Sequence, residues 1–311
     1  VSKINTMSKA LITGGGGAKG ACSVGAVLAL KKRGIFPFDI FSGTSTGSFI
    51  AALAAADEME VLRQQYLNVG PNDILAKQNI VTNVLNGKAF LFDTYPLLQL
   101  INQTITQQIF DKIMRDDAPM LCITAVSLQT GLPTVFSNRN LVPHPSNEYF
   151  VKKLTTLEML IKALMASSSQ AGFTPPVIID GEQFVDGGHR DVIPTRIVID
   201  LGAEDVIILS NNPSAQFTKT RHYTDLLAVV LRVIGIFLQD VRDSDIRILN
   251  DHLIAKGKRA LVIEPSADLD EENPTGLRFN PPLMASWMVL GEIRANKALD
   301  NLGGAIDTPI V

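Results

Sequence analysis

The chain has 311 residues, 46% hydrophobic and 19% charged, with a formal net charge of -3. That balance supports a sizeable core and excludes a disordered chain, and the scattered basic residues exclude the concentrated cationic footprint of a nucleic-acid binder. In chain order, the apolar patterning predicts a strand over Ala10 to Thr13, a helix over Ala18 to Arg33 and a strand over Ile40 to Ser42. Helices follow over Thr46 to Ala55 and Tyr95 to Thr106, then a strand over Met120 to Leu128 and a helix over Thr156 to Ala166. A strand over Val177 to Ile179, a helix over Pro194 to Asp200 and a strand over Val206 to Ser210 come next. The last third reads as a helix over Thr224 to Asp240, a strand over Ala260 to Ile263 and a helix over Ser286 to Asn301. Strand-helix alternation implies an α/β layered fold, expected as one domain over residues 1–311. In such folds ligands sit at the carboxyl ends of the strands, which directs attention to the loops after Thr13 and Ser42.

The stretch from Leu226 to Leu238 is the longest apolar run, but Arg232 interrupts it and it is too short to span a bilayer. It is expected to be a core helix, the alternative being a surface that touches lipid. Cys22 and Cys122 both lie in apolar stretches, which favours buried thiols and a reducing compartment over a disulfide. The residues from Val1 to Met7 are too polar for a signal-peptide core, so a cytoplasmic or peripheral-membrane location is expected, with secretion left open.

After the second strand comes Gly43-Thr44-Ser45-Thr46-Gly47, leading into the apolar helix that starts at Thr46. A serine on a tight strand-to-helix turn has its hydroxyl directed outward, and glycines two residues to either side let the backbone pass close by. With 23 glycines in the chain, the pattern alone does not separate a nucleophile elbow from a helix-capping turn. Context favours the nucleophile. The first strand runs into Gly14-Gly15-Gly16-Gly17-Ala18-Lys19-Gly20, where successive backbone N–H groups at a helix start form an anion-binding loop. A dinucleotide site would need an acidic residue at the end of the second strand, and that strand leads instead into the serine turn. An oxyanion hole at Gly15, Gly16 and Gly17 fits better. Lys19 opposes the helix dipole and is expected to meet an anion.

Serine needs a base. His144, His189, His222 and His252 are available, but none sits in a convincing motif. By contrast, Phe184-Val185-Asp186-Gly187-Gly188 ends a short apolar strand with a carboxylate followed by two glycines that permit close approach, so Asp186 is the better base.

Taken in order, Gly15 to Gly20, Gly43 to Gly47 and Asp186-Gly187-Gly188 resemble the motifs of the patatin-like phospholipase family, lipid acyl hydrolases that work with a Ser-Asp dyad. The resemblance extends over residues 8 to about 210, with Ala166-Ser167-Ser168 and Arg190 to Pro194 included, and leaves a helical extension of about 215–311. It implies a three-layer α/β sandwich with a mainly parallel central sheet, Ser45 as nucleophile, Asp186 as base and the Gly15 to Gly17 loop as oxyanion hole. Lys19, Gly20, Gly43, Gly47, Gly187 and Gly188 would support them. The family usually has Arg where this chain has Lys19 and tends to have Pro near Ala171. The serines at 167, 168 and 169 read as a helix cap.

The expected substrate is a phospholipid or related acyl ester, with peripheral membrane contact through Val81 to Phe92 or Leu226 to Leu238 and with no metal and no cofactor. An acyltransferase or a histidine-assisted esterase on the same fold, and a catalytically silent lipid- or anion-binding module, are the alternatives.

Overall fold

Strand β1 (Lys9–Thr13) is apolar on both faces, with Leu11 in the core on one side of the sheet and Ala10 and Ile12 in the core on the other. The same period of two sends Phe41 and Ile40 of β2 (Ile40–Thr44) to opposite cores, and likewise Ile207 and Ile208 of β10 (Asp205–Leu209). Strands buried on both faces must be covered by helices on both, the arrangement of a parallel α/β sandwich. The structure is a computed structural model that describes residues 8–77, 90, 92–143, 149–214, 222–224, 226–270 and 276–304. His144 and most of the Val81 to Phe92 segment, one expected lipid-facing surface, lie outside these residues.

The remaining strands are β3 (Ala76–Lys77), β4 (Phe92–Asp93), β5 (Met120–Ser127), β6 (Pro133–Ser137), β7 (Phe150–Lys153), β8 (Val177–Ile179), β9 (Glu182–Asp186) and β11 (Leu261–Ile263). The main sheet has the order β11-β10-β1-β2-β5-β6-β7, with β9 pairing antiparallel to the later part of β5 and β8 pairing with β9. The run from β11 to β5 is parallel throughout. From β1 the chain proceeds to β2 on one side, whereas β10 lies on the other side and leads outward to β11. The loops after β1 and β10 therefore diverge at a switch point, where such sheets open a crevice.

Helices α1 (Gly20–Lys32), α2 (Thr46–Ala55), α3 (Met59–Asn68), α4 (Tyr95–Thr104), α5 (Gln107–Met114), α6 (Leu157–Ser167) and α9 (Pro281–Gly304) contribute to the core on one face. Helix α7 (Arg196–Asp200) and the later half of α8 (Leu226–Ile254), through Leu249 and Leu253, cover the other. The last third supplies the edge strand β11, where a strand was expected over Ala260 to Ile263, and packs α9 on α1. That contact is backbone to backbone, because a Cβ on Gly291 would strike the Cys22 carbonyl.

Pattern and structure part company in four places. The expected strand over Met120 to Leu128 is β5, but its hairpin partner β6 was not anticipated, because the turn before it at Gly131 (φ 70°) depends on one glycine. Helices α3 and α5 also went unread. Helix α8 continues to Ile254 rather than stopping at Asp240, since Asp243, Ser244 and Asp245 remain helical where their composition suggested a stop. The stretch from Leu226 to Leu238 is a helix but not a core helix: Leu226, Val229, Val230, Val233, Ile236 and Phe237 are exposed.

Candidate active site

Because β1 and β2 are parallel neighbours with Thr13 opposite Gly43, the glycine loop and the serine turn leave the sheet side by side. Ser45 has φ 57° and ψ −131°, a left-handed conformation that costs a residue with a Cβ about 1–3 kcal/mol and persists only where neighbours enforce it. They do so here. The Ser45 amide donates to Ser167 Oγ at 2.9 Å, and Ser167 Oγ donates in turn to the Thr124 carbonyl on β5 at 2.7 Å. Behind the turn, Thr13 Oγ1 donates to the Gly47 carbonyl at 2.7 Å, and a Cβ on Gly47 would strike the Thr13 carbonyl. Gly43 is held equally tightly against Gly47, and a Cβ on Gly20 would lie 2.7 Å from Thr46 Oγ1.

Register places Asp186 near the serine. Thr44 on β2 pairs with Thr124 on β5, and Ala125 on β5 pairs with Asp186 on β9. The Asp186 amide donates to the Ser169 carbonyl at 2.7 Å, and its Oδ1 accepts from the Gly188 amide at 2.8 Å. Gly187 fits because a Cβ there would meet the Thr124 carbonyl. Burial pushes the Asp186 carboxyl above the usual aspartate range, opposed by the nearby Ser45 side chain, by the hydrogen bond from the Gly188 amide and by the charge of His189. The carboxyl thus lines the same pocket as Ser45 and is biased toward holding a proton.

The glycine loop presents a narrower set of donors than its composition suggests. Gly14 and Gly15 donate to the carbonyls of Leu209 and Val192, and Ala18 donates to that of Gly276. No described residue accepts from the amides of Gly16 or Gly17, both of which have positive φ (152° and 57°) and line the same pocket as Ser45. Gly15 provides proximity instead: a Cβ there would lie 3.2 Å from that of Ser45. Asn211, just past β10, fixes the loop's carbonyls, its Nδ2 donating to Gly14 at 2.9 Å and Gly15 at 3.3 Å while Ser23 Oγ donates to its Oδ1. Lys19 is buried, and the anion it meets is internal: Nζ lies 2.7 Å from Asp268 Oδ1.

Ser45, Asp186 and the Gly16–Gly17 edge open onto one pocket. Phe49, Ile74, Leu97, Ile101, Leu164 and Phe173 form an apolar wall, and Leu238, Phe279 and Met284 also line it. His189 lines it too, its Nε2 accepting from the Ala171 amide at 3.3 Å, whereas His222 and His252 do not line it. Among the described residues, no group of three or more His, Cys, Asp or Glu side chains could hold a metal ion.

Ser167, Ser169, Asn211 and Gly276 were not singled out by the sequence as parts of the site. The serines read as a cap, and Asn211 carried only the signal that it follows the carboxyl end of a strand.

The patatin-like phospholipase family model matches residues 11–199, and the chain belongs to that family. Patatin-like phospholipase domain-containing protein 7 of Rattus norvegicus is 28% identical over 222 residues, covering 70% of this chain and 14% of that protein. Lysophospholipase NTE1 of Mycosarcoma maydis is 26% identical over 229 residues, covering 71% of this chain and 10% of that protein. The chain thus matches a small fraction of these relatives' length. Among solved structures, VipD from Legionella pneumophila shares the fold, with a TM-score of 0.50 at 13% identity over 94% of this chain and 67% of that one.

Proposed function

We propose that this protein hydrolyses fatty acyl esters of phospholipids or related lipids, with Ser45 as nucleophile and Asp186 as its base. The observation that carries the reading is the strained Ser45 sharing an apolar pocket with Asp186, a carboxyl whose affinity for protons is raised by burial. Family membership supports the lipid class of substrate.

In this reading the Ser45 hydroxyl adds to the ester carbonyl as its proton passes to Asp186, and the amides of Gly16 and Gly17 receive the oxyanion. Collapse of the tetrahedral intermediate expels the alcohol, which takes the proton from Asp186 and leaves an acyl ester on Ser45. Water then gives a proton to Asp186 and attacks the acyl carbonyl. A second collapse releases the fatty acid and returns the proton to Ser45. The apolar wall holds the acyl chain and keeps bulk water from competing with the bound ester.

The test is hydrolysis of a p-nitrophenyl ester and of a phospholipid by the wild type, Ser45→Ala, Asp186→Asn and His189→Ala. Loss in the first two variants with retention in the third supports the dyad. Equal loss in His189→Ala replaces it with a histidine-assisted site, and acylation by a fluorophosphonate without hydrolysis of either substrate favours a transferase.

A further inference from the structure

Leu226, Val229, Val230, Val233 and Phe237 follow the spacing i, i+3, i+4, i+7, i+11, which places them along one side of α8. In a helix packed on a core that stripe faces inward. Here it faces solvent, with Leu226 81% and Phe237 65% exposed, and Ile236 widens it. The same helix is anchored elsewhere. Its later half buries Leu249 and Leu253, and the fully buried Arg242 donates to Ser210 Oγ at 2.9 Å and pairs with Asp243 and Glu264. The exposed stripe is therefore carried on a fixed support.

We propose that the first half of α8 lies in the surface of a lipid bilayer and sets the pocket mouth against it, an inference that rests on the lipid-hydrolase reading. Two observations select lipid as the occupant. From Leu226 to Leu238 there is no acidic side chain and the one charge is Arg232, so the segment suits a surface of phosphate headgroups over acyl chains. The stripe also runs directly into the site: Leu238, next after Phe237, lines the pocket, and its Cδ2 lies 3.8 Å from where a Cβ of Gly188 would be. A lipid leaving the bilayer along this helix would reach the catalytic loop without crossing water. No described helix is long and apolar enough to cross a membrane, which agrees with a helix lying in the interface.

The test pairs vesicle co-sedimentation with soluble-ester hydrolysis, using vesicles of phosphatidylcholine with a minority of phosphatidylglycerol. Val233→Asp combined with Phe237→Asp is expected to lower vesicle binding by about ten-fold or more while p-nitrophenyl butyrate hydrolysis and the melting temperature stay unchanged. Val233→Trp adds a fluorophore on the stripe, and its emission is expected to shift to the blue on adding vesicles, whereas the native Trp287 is buried. Ser45→Ala is expected to bind vesicles like the wild type, so docking is read separately from catalysis. Vesicle binding by the double aspartate variant equal to the wild type, or no binding by the wild type, overturns the proposal. So does a wild-type dimer that the double variant converts to monomer without any vesicle binding, because the stripe would then be covered by a second copy of the chain.

Discussion

The Ser45 amide and the Ser167 hydroxyl are joined by a 2.9 Å hydrogen bond that ties the end of α6 to the serine turn. Two residues further on, the Ser169 carbonyl accepts from the Asp186 amide at 2.7 Å. One short serine segment therefore holds the backbones of both the proposed nucleophile and the proposed base, and their separation is set by a third element of the chain.

Ser167→Ala leaves the Ser45 amide without its partner and the strained turn less enforced. Stability is expected to fall by about 1–3 kcal/mol. The turnover number should fall about ten-fold or more with KM little changed, because small misplacements of a nucleophile are costly. Steady-state kinetics beside a thermal melt check this; a lower melting temperature with unchanged turnover would assign Ser167 to the scaffold alone.

If Asp186 accepts the proton of Ser45, it must be ionised for catalysis. Burial raises its pKa, so activity is expected to rise with pH along an acid limb whose midpoint lies above the ordinary aspartate value of 3.8. A pH–rate profile on a soluble ester measures the limb. Asp186→Asn is expected to remove it together with about 100-fold or more of the rate.

Asp191 and Asp245 form a buried carboxyl pair behind the site, with Asp245 Oδ2 accepting from the Ile193 amide at 3.0 Å. Burial raises both pKa values, the Asp191 charge raises that of Asp245 further, and Arg196 opposes the shift in each. The folded protein then keeps protons that the unfolded chain releases above 3.8, so these groups cost stability progressively as pH climbs from that value through neutrality. The slope is about 1.4 kcal/mol per pH unit for each proton retained. Asp245→Asn, which cannot ionise, is expected to flatten this decline in denaturant titrations run at several pH values.

Lys19→Met removes the cation that pairs with Asp268 in a largely buried setting. A loss of about 3 kcal/mol or more is expected, with much of it recovered in Lys19→Met combined with Asp268→Asn. A double-mutant cycle by chemical denaturation measures it. An additive cycle would deny the coupling.

The elements that carry Ser45 and the glycine loop were legible because their signals are local: a β-branched run, a glycine cluster, then a helix start. The placement of Asp186 at a strand end was legible for the same reason, since it closes a short apolar run. The braces were not, since nothing local distinguishes Ser167 from any serine at a helix end, and its role depends on β2 and β5 arriving beside it. Lys19 was flagged by its conflict with the helix dipole, but its partner Asp268 is distant in the chain. For α8 the composition gave an apolar helix, yet composition does not say whether such a helix will be covered, and the expected core helix is exposed.

The Gly276 carbonyl, by accepting from Ala18, belongs to a segment synthesised long after the glycine loop it braces. A nascent chain can thus carry Ser45, Asp186 and every motif of the site while the loop still lacks one of its supports. Completion of the pocket is deferred until the later residues have emerged and docked, so the timing of synthesis itself limits how early it can form.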